Sequence, residues 1–427
     1  MSPTPTIFAL SSGAPPAGIG VVRVSGPRAG EALTALAGRL PEPRRATLAR
    51  LRDAEGALLD EALVLWFPGP NTATGEDLAE LHCHGGRAVI AAVEGALAAL
   101  PGTRRAGPGE FTRRAFANGR IDLAEAEALA DLLSAETELA RAAALANAGG
   151  ALSRQVELWR ERVLGLSAQV EAVLDFSDEE DASALPECFT WNIGALAEEL
   201  RAWLARPRSE RLGEGFRVVL AGPPNAGKST LFNALIESEA AITSPIAGTT
   251  RDVIERAVAI AGVPFTFVDT AGLREAGDDA IEAIGIDRAK GELARADLVL
   301  WLGEEGEGPP GAWEIAAQAD RDGFTPKANP RFTLSAITGE GVVALKAALV
   351  ERARDALPKP GEAALNSRQH ARLAEASEAL EAARGLSDPL LIAEELRRAR
   401  LAFDRLIGRT TTEDMLDTLF GRFCIGK

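Results

Sequence analysis

Residues Gly222 to Ser229 read G-P-P-N-A-G-K-S and follow the apolar run Phe216-Arg217-Val218-Val219-Leu220-Ala221, which has the length and β-branched content of a buried strand. Beyond them Leu231, Phe232, Leu235 and Ile236 recur at helical spacing. Strand, glycine loop and helix in that order form a phosphate-binding unit in a mostly parallel α/β sheet. The residue types follow from the chemistry. Glycines let backbone N–H groups close around phosphate oxygens, Lys228 neutralises the terminal phosphates, the Ser229 hydroxyl ligates Mg²⁺, and the helix points its positive end at the same anions. Asn225, Ala226, Gly227, Lys228, Ser229 and Thr230 are the first candidate nucleotide-binding residues.

Three later stretches complete the pattern of a switch: I-T-S-P-I-A-G-T-T-R-D from Ile242, F-T-F-V-D-T-A-G-L from Phe265 and R-F-T-L-S-A-I-T-G-E-G from Arg331. A strand ending in Asp269, Thr270, Ala271 and Gly272 sets a carboxylate beside the Mg²⁺ water shell and a glycine N–H at the γ-phosphate. Thr250 supplies a second hydroxyl ligand when its loop closes, and the loop residues Ser244, Pro245, Ile246, Ala247, Gly248 and Thr249 join the nucleotide-binding candidates. Ser335 and Ala336 follow a strand and fit the loop that lies against a guanine base. Together these features predict a GTPase of the switch type, with Lys228 and Asp269 in its catalytic centre.

Two positions depart from that pattern. GTPases usually read the base with Asn-Lys-x-Asp, and the corresponding residues here are Ala317, Gln318, Ala319 and Asp320. Asp320 still accepts from guanine N1 and N2, but the Asn contact is missing and Gln318 stands where a Lys packs under the ring. A missing buried hydrogen bond costs about 0.5 to 1.5 kcal/mol, so weakened guanine selectivity is one reading and a different register of the motif is the other. The second departure is Leu273, which occupies the place of the water-orienting Gln of Ras-like enzymes. Candidates for that task are Glu282, Arg251, Arg274 and a monovalent cation held by Asn225 with loop carbonyls.

At 427 residues the chain exceeds one ordinary core, and two or three domains are expected. The first hundred or so residues alternate short strands (Thr6 to Leu10, Gly20 to Val24, Leu63 to Phe67, Leu78 to Leu81) with Gly/Pro turns and one Ala-rich helix, Ala88 to Leu100, which is an α+β pattern. Two polar clusters stand out there, T-G-E-D-L-A-E-L-H-C-H-G-G from Thr74 and G-P-G-E-F-T-R-R-A-F-A-N-G-R from Gly107. His82 and His84 would share one face of a strand, but no Cys-x-x-Cys or His-Glu-x-x-His pattern completes a metal site, so both are read as hydrogen-bonding residues near a pocket. From Ile121 to Arg211 the periodicity is helical, and it resumes at Asn366 after Pro358 and Pro360. The phosphate-binding unit therefore reads as inserted into a helical domain made of two separated segments. The acidic run Asp178-Glu179-Glu180-Asp181 reads as a solvated loop.

A formal net charge of −16 argues against broad nucleic-acid binding, so any RNA contact is expected to be local or delegated to a basic partner. No stretch approaches the length of a membrane span, the N-terminus lacks a secretory signal, and the three cysteines (Cys83, Cys188, Cys424) form no disulfide framework. These features predict a cytoplasmic protein with no membrane association.

The motifs G-I-G-V-V-R-V-S-G-P, T-G-E-D-L-A-E-L-H-C-H-G-G and P-G-E-F-T-R-R-A-F-A-N-G-R-I-D-L-A-E-A-E-A, the GTPase motifs and the terminal F-C-I-G-K together resemble the MnmE (TrmE) family over nearly the whole chain. The resemblance implies an N-terminal folate-binding and dimerising α+β domain (1–118), a discontinuous helical domain (119–212 and 358–427) and an inserted, Ras-like P-loop GTPase domain with a mostly parallel sheet (213–357). It implies a potassium-dependent GTPase that works as a homodimer with MnmG (GidA), an FAD protein, in a heterotetramer. Their joint product would be a carboxymethylaminomethyl group at C5 of the wobble uridine of certain tRNAs, made with a one-carbon unit from 5,10-methylenetetrahydrofolate or formyl-tetrahydrofolate. By motif position Arg23, Glu80, Arg120 and Lys427 match the folate contacts. Arg120 is commonly Lys in that family, a change that keeps the charge. Asn225, Ser244, Ile246 and Thr249 match the potassium site, with Ser229 and Thr250 on Mg²⁺. Glu282 matches the residue that orients the hydrolytic water. Cys424 reads either as a thiol near the folate or as a small buried apolar residue. Two other functional classes compete, a regulatory GTPase switch in ribosome assembly and a folate-dependent one-carbon transferase that never touches RNA.

Overall fold

Side-chain alternation explains the N-terminal sheet. Along Leu58–Phe67 the residues Asp60, Ala62, Val64 and Trp66 are buried while Glu61 and Leu63 are exposed, as the two-residue period of a strand requires. The computed structural model describes residues 4–175, 185–237, 240–241, 254–270, 290–410, 413–421 and 423–426. They belong to two units, Met1–Ala130 with Asp404–Lys427 and Asp131–Phe403.

In the first unit β1 (Thr6–Leu10), β2 (Ile19–Ser25), α1 (Ala29–Ala37), β3 (Thr47–Arg52), β4 (Leu58–Phe67), β5 (Leu78–His84), α2 (Arg87–Ala98), β6 (Thr103–Arg105) and α3 (Glu110–Ala117) follow in order. The strands form one sheet in the order β3-β4-β5-β2-β1-β6, antiparallel except for the parallel β1–β6 pair. Phe8, Val22, Val24, Val64 and Leu81 pack from one face against Leu33 of α1 and Val93 of α2. On the other face Ile7 and Ala9 form a small buried apolar cluster with Ala106 and Phe111, and Leu78 is buried as well. The same face carries a row of polar side chains at its centre, set by register: Arg23 lies between Ala9 and Glu80, and Glu80 lies opposite Leu65. The C-terminal helix Glu413–Phe420 lies on α3, with Phe116 and Phe420 ring centroids 6.1 Å apart. The predicted α+β character holds; β1 has the expected bounds, while β2, β4 and β5 extend beyond the stretches expected from sequence. Helices α1 and α3 went unread, being short and interrupted by Gly or Arg.

The second unit, which begins within the last turn of the helix Leu123–Ser134, joins helices to a second sheet. The apolar pattern from Leu123 runs unbroken in sequence, yet α4 (Leu123–Ser134) ends and α5 (Glu138–Ala148) restarts, because the Thr137 side chain accepts from the Ala140 N–H at 3.2 Å and caps a new N-terminus. The 25-residue helix α6 (Ala151–Asp175) buries Val156, Trp159, Val163, Leu166 and Val170 at three- and four-residue spacing. Trp159 stands edge-on to Trp203 of α7 (Phe189–Leu204) at 5.2 Å and stacks on Phe403 at 5.9 Å, so helical segments from before and after the second sheet share one core. Helix Ser367–Gly385 opens with a capping box between Asn366 and Gln369, at the residue where the helical pattern resumes in sequence. The acidic run Asp178 to Asp181 lies outside the described residues.

After α8 (Glu210–Glu214) come β7 (Phe216–Ala221), α9 (Lys228–Ile236), β8 (Ala240–Ala241), β9 (Ile254–Ile260), β10 (Val263–Asp269), β11 (Leu298–Trp301), β12 (Trp313–Ala316) and β13 (Phe332–Thr333). Their order is β13-β12-β11-β7-β10-β9-β8, parallel from β13 to β10 and antiparallel beyond. β7 is central and its C-terminal end opens onto the phosphate loop, the usual place for a ligand in such a sheet. The connection 302–312 between parallel β11 and β12 contains turns and no helix. Its glycines permit this, since a Cβ on Gly303 or Gly308 would come within 2.5 or 2.8 Å of the Trp301 ring. No helix among the described residues is long and apolar enough to cross a membrane.

Candidate functional site

Strand register assembles the first site. β7 and β10 are parallel with Leu220 opposite Asp269, so the phosphate loop and the Asp269 carboxylate leave the sheet at the same level. Asp269 is fully buried and accepts from the Ser229 hydroxyl at 2.6 Å, while the Thr270 hydroxyl donates to the Leu220 carbonyl at 2.8 Å. Lys228, at 5% exposure, donates through Nζ to the carbonyls of Gly222 (3.1 Å) and Pro223 (2.7 Å), folding its own loop back over the ammonium. That loop turns through left-handed φ angles at Asn225 (+59°) and Gly227 (+90°). The φ of Gly227 favours glycine, and a Cβ there would also sit 3.1 Å from the Gln318 side chain. Ala226 packs partly buried against the sheet core, and Ser229 and Thr230 are exposed in the first turn of α9. The Ser229 hydroxyl and Asp269 carboxylate are hard oxygen donors at adjoining tips, a set that suits Mg²⁺.

On the base side, residues 317–320 follow β12 directly. The Ala319 N–H donates to the Leu334 carbonyl at 3.1 Å, bringing this stretch beside Ser335. Ser335 is fully buried, and its hydroxyl accepts from the Thr338 N–H at 3.1 Å, so its loop is internally braced with Ala336 half-buried beside it. Asp320 is exposed. Ser244, Pro245, Ile246, Ala247, Gly248, Thr249, Thr250, Arg251, Ala271, Gly272, Leu273, Arg274 and Glu282 lie outside the described residues.

A second cluster sits on the polar face of the N-terminal sheet. Arg23 donates through Nε (3.1 Å) and Nη2 (2.9 Å) to one oxygen of Glu80, and His82 Nε2 lies 3.3 Å from the other. The C-terminal segment closes in beside them. Ser11 donates to the Gly426 carbonyl at 2.8 Å, and a Cβ on Gly426 would come within 2.1 Å of the Leu10 carbonyl, so only glycine fits. Leu10 is the neighbour of Ala9, which pairs with Arg23. Arg120 is exposed at the end of α3 beside Gly75, where a Cβ would be 3.2 Å from its Cγ. Lys427 lies outside the described residues. Cys424 is exposed, which removes the reading of it as a buried apolar residue. Cys83 is buried, and burial followed by the nearby Asp60 charge pushes its thiol up to about 12. His84 Nδ1 stands 2.7 Å from Asp60 Oδ1, so both histidines hydrogen-bond to acids, and no group of three or more metal-ligating side chains occurs among the described residues.

One buried network escaped sequence reading. Arg114, at 8% exposure, donates to Glu76 (2.9 Å), Glu110 (3.1 Å) and the Pro5 carbonyl (2.8 Å). The Ser25 hydroxyl donates to the same Glu76 oxygen at 2.9 Å and shares a 2.7 Å hydrogen bond with Thr74. Burial alone would raise the Glu110 carboxyl, but bonds from Arg104, the Gly107 N–H and Arg114 hold it down at about 2. Asn118 donates to the Thr74 carbonyl at 2.7 Å, fastening the Thr74–Glu76 turn beside Arg120. The signal lay in the two polar motifs; their mutual pairing was not visible.

A phosphate loop on the central strand, a buried carboxylate on the neighbouring strand and a base-side loop after the sheet's last strand define a P-loop GTPase. The rest of the chain specifies which kind. Residues 123–424 match the family description "MnmE helical domain" and residues 6–120 match "GTP-binding protein TrmE N-terminus". Proteins called tRNA modification GTPase MnmE are similar over their full lengths. The one from Erythrobacter litoralis is 67% identical over 423 residues, 99% of this chain and 100% of that one. Those from Novosphingobium aromaticivorans and Zymomonas mobilis are 66% and 50% identical, each covering 99% of this chain and 100% of the relative. The chain belongs to the MnmE (TrmE) family.

Proposed function

We propose that this GTPase acts in tRNA modification, as a cytoplasmic homodimer paired with the FAD protein MnmG, installing a carboxymethylaminomethyl group at C5 of the wobble uridine. The observation that carries the reading is the Lys228–Ser229–Asp269 arrangement on the central strands, within a chain similar end to end to named tRNA modification GTPases. Lys228 and the loop N–H groups bind the phosphates, and Ser229 with Thr250 would hold Mg²⁺, with Asp269 beside it. Mg²⁺ held there would neutralise phosphate charge. Asn225 with Ser244, Ile246 and Thr249 would hold K⁺, which would supply positive charge in the role an arginine finger has elsewhere. Glu282 orients the attacking water, and Asp320 with Ser335 and Ala336 reads guanine.

In the N-terminal unit the half-buried Arg23–Glu80 pair offers a guanidinium that can donate to a carboxylate tail and a carboxylate that can accept from the donor edge of a pterin. Arg23, Glu80, Arg120 and Lys427 would hold the tetrahydrofolate, which supplies the one-carbon unit. Residues 1–118 act as the folate and dimerisation domain, 119–212 with 358–427 as the helical domain and 213–357 as the G domain. The test is nucleoside analysis of tRNA from a strain lacking this protein. Wild-type chain restores modified wobble uridine and Lys228→Ala does not; equal restoration by both would overturn the coupling of GTP hydrolysis to modification.

A further inference from the structure

Gln318 occupies a position where a cation is usual, and its contacts show what it does instead. Its Nε2 donates to the Asn225 carbonyl in the phosphate loop at 3.0 Å, and its Oε1 accepts from Arg321 at 2.8 Å. The side chain lies flat on Gly227, whose added Cβ would meet its Nε2 at 3.1 Å and Cγ at 3.3 Å. Both residues joined by the first bond, Gln318 (φ +63°) and Asn225 (φ +59°), hold left-handed backbone that non-glycine residues adopt only at a cost. The next residue, Ala319, is fixed to Leu334 through its N–H, so the base-side stretch is braced on two sides.

We infer that Gln318 is a positioning residue that fastens the base-side stretch to the phosphate loop through a neutral amide and holds the backbone of Asn225 in its left-handed turn. The inference rests on the reading of this site as a guanine-nucleotide site. An amide bridge keeps the loops in register without adding positive charge next to the phosphates. Removing it frees both left-handed residues to relax and lets the two loops separate, and the nucleotide then leaves faster. The contacts of the Gln318 amide run to the Asn225 carbonyl and to Arg321, which assigns it to bracing the loops rather than to reading the base. The ratio of affinities for guanine and hypoxanthine nucleotides is therefore independent of it.

The experiment is stopped-flow dissociation of a fluorescent GDP from the full chain, with GDP and IDP as competitors and thermal melting as a control. Gln318→Ala is expected to speed GDP release about fivefold, within the range of one lost hydrogen bond, with the melting temperature and the GDP/IDP ratio unchanged. Gln318→Lys, which keeps a donor to the Asn225 carbonyl and adds a cation, is expected to bring release back to the wild-type rate or slower. Unchanged release in Gln318→Ala would overturn the inference, as would a fall in melting temperature that Gln318→Lys fails to reverse. A shifted GDP/IDP ratio would overturn it too, by assigning Gln318 to the base. Failure of the wild-type chain to bind GDP would instead sink the underlying GTPase reading.

Discussion

The two candidate sites are built in opposite ways. The phosphate site takes Asn225 to Thr230 from one contiguous loop and needs a single register, Leu220 opposite Asp269, to add its carboxylate. The N-terminal cluster takes Arg23 from β2, Glu80 from β5, Glu76 from the turn before β5, Arg114 from α3 and Gly426 from the end of the chain, so every contact depends on the tertiary fold. A contiguous site keeps much of its geometry when its surroundings loosen, because the loop carries its own glycines and its own lysine. A dispersed site is only as stable as the network beneath it, here the ion pairs converging on Arg114.

That difference can be tested by cutting the network. Arg114→Ala removes the one cation shared by Glu76 and Glu110, leaving Glu76 to the Ser25 hydroxyl and Glu110 to Arg104 and the Gly107 N–H, and is expected to destabilise the N-terminal unit by about 2 kcal/mol, as for lost hydrogen bonds to charged groups, read as a lower urea midpoint for that unit. GTP hydrolysis at 25 °C should change little. An equal loss at both sites would break the comparison and make Arg114 a support for the whole molecule.

A smaller effect is expected from acid. The Glu110 carboxyl is held at about 2 in the folded protein against an ordinary value of 4.5. A carboxylate depressed on folding contributes stability above its unfolded value and loses it as pH falls. The N-terminal unit should therefore lose stability progressively from about pH 4.5 towards pH 2, and Glu110→Gln should flatten that part of the profile. A profile of the same slope in both proteins would remove Glu110 from the account.

The same division explains what sequence could tell. Strand β7, the loop and helix after it, the strand ending at Asp269 and the helix start at Asn366 are legible because each is a local pattern of apolar spacing, glycine placement or capping. Arg23 and Glu80 were found only through the family resemblance, since nothing local shows that residues 57 apart in sequence sit on paired strands. Arg114 was passed over for the same reason: a single arginine in an arginine-rich helix declares neither its burial nor its partners. The break at Thr137 and the helix-free connection 302–312 were hidden for a different cause, a capping hydroxyl and two glycines beneath a tryptophan deciding locally against a strong pattern or a usual topology.

The most direct test of the account is GTP hydrolysis by the purified protein in potassium chloride and in sodium chloride at equal ionic strength, with Lys228→Ala as the control. Strong phosphate release confined to potassium, lost in the variant by about 100-fold or more, is the predicted result. Equal release in both salts would contradict it, and would mean that protein side chains alone place the water and balance the charge.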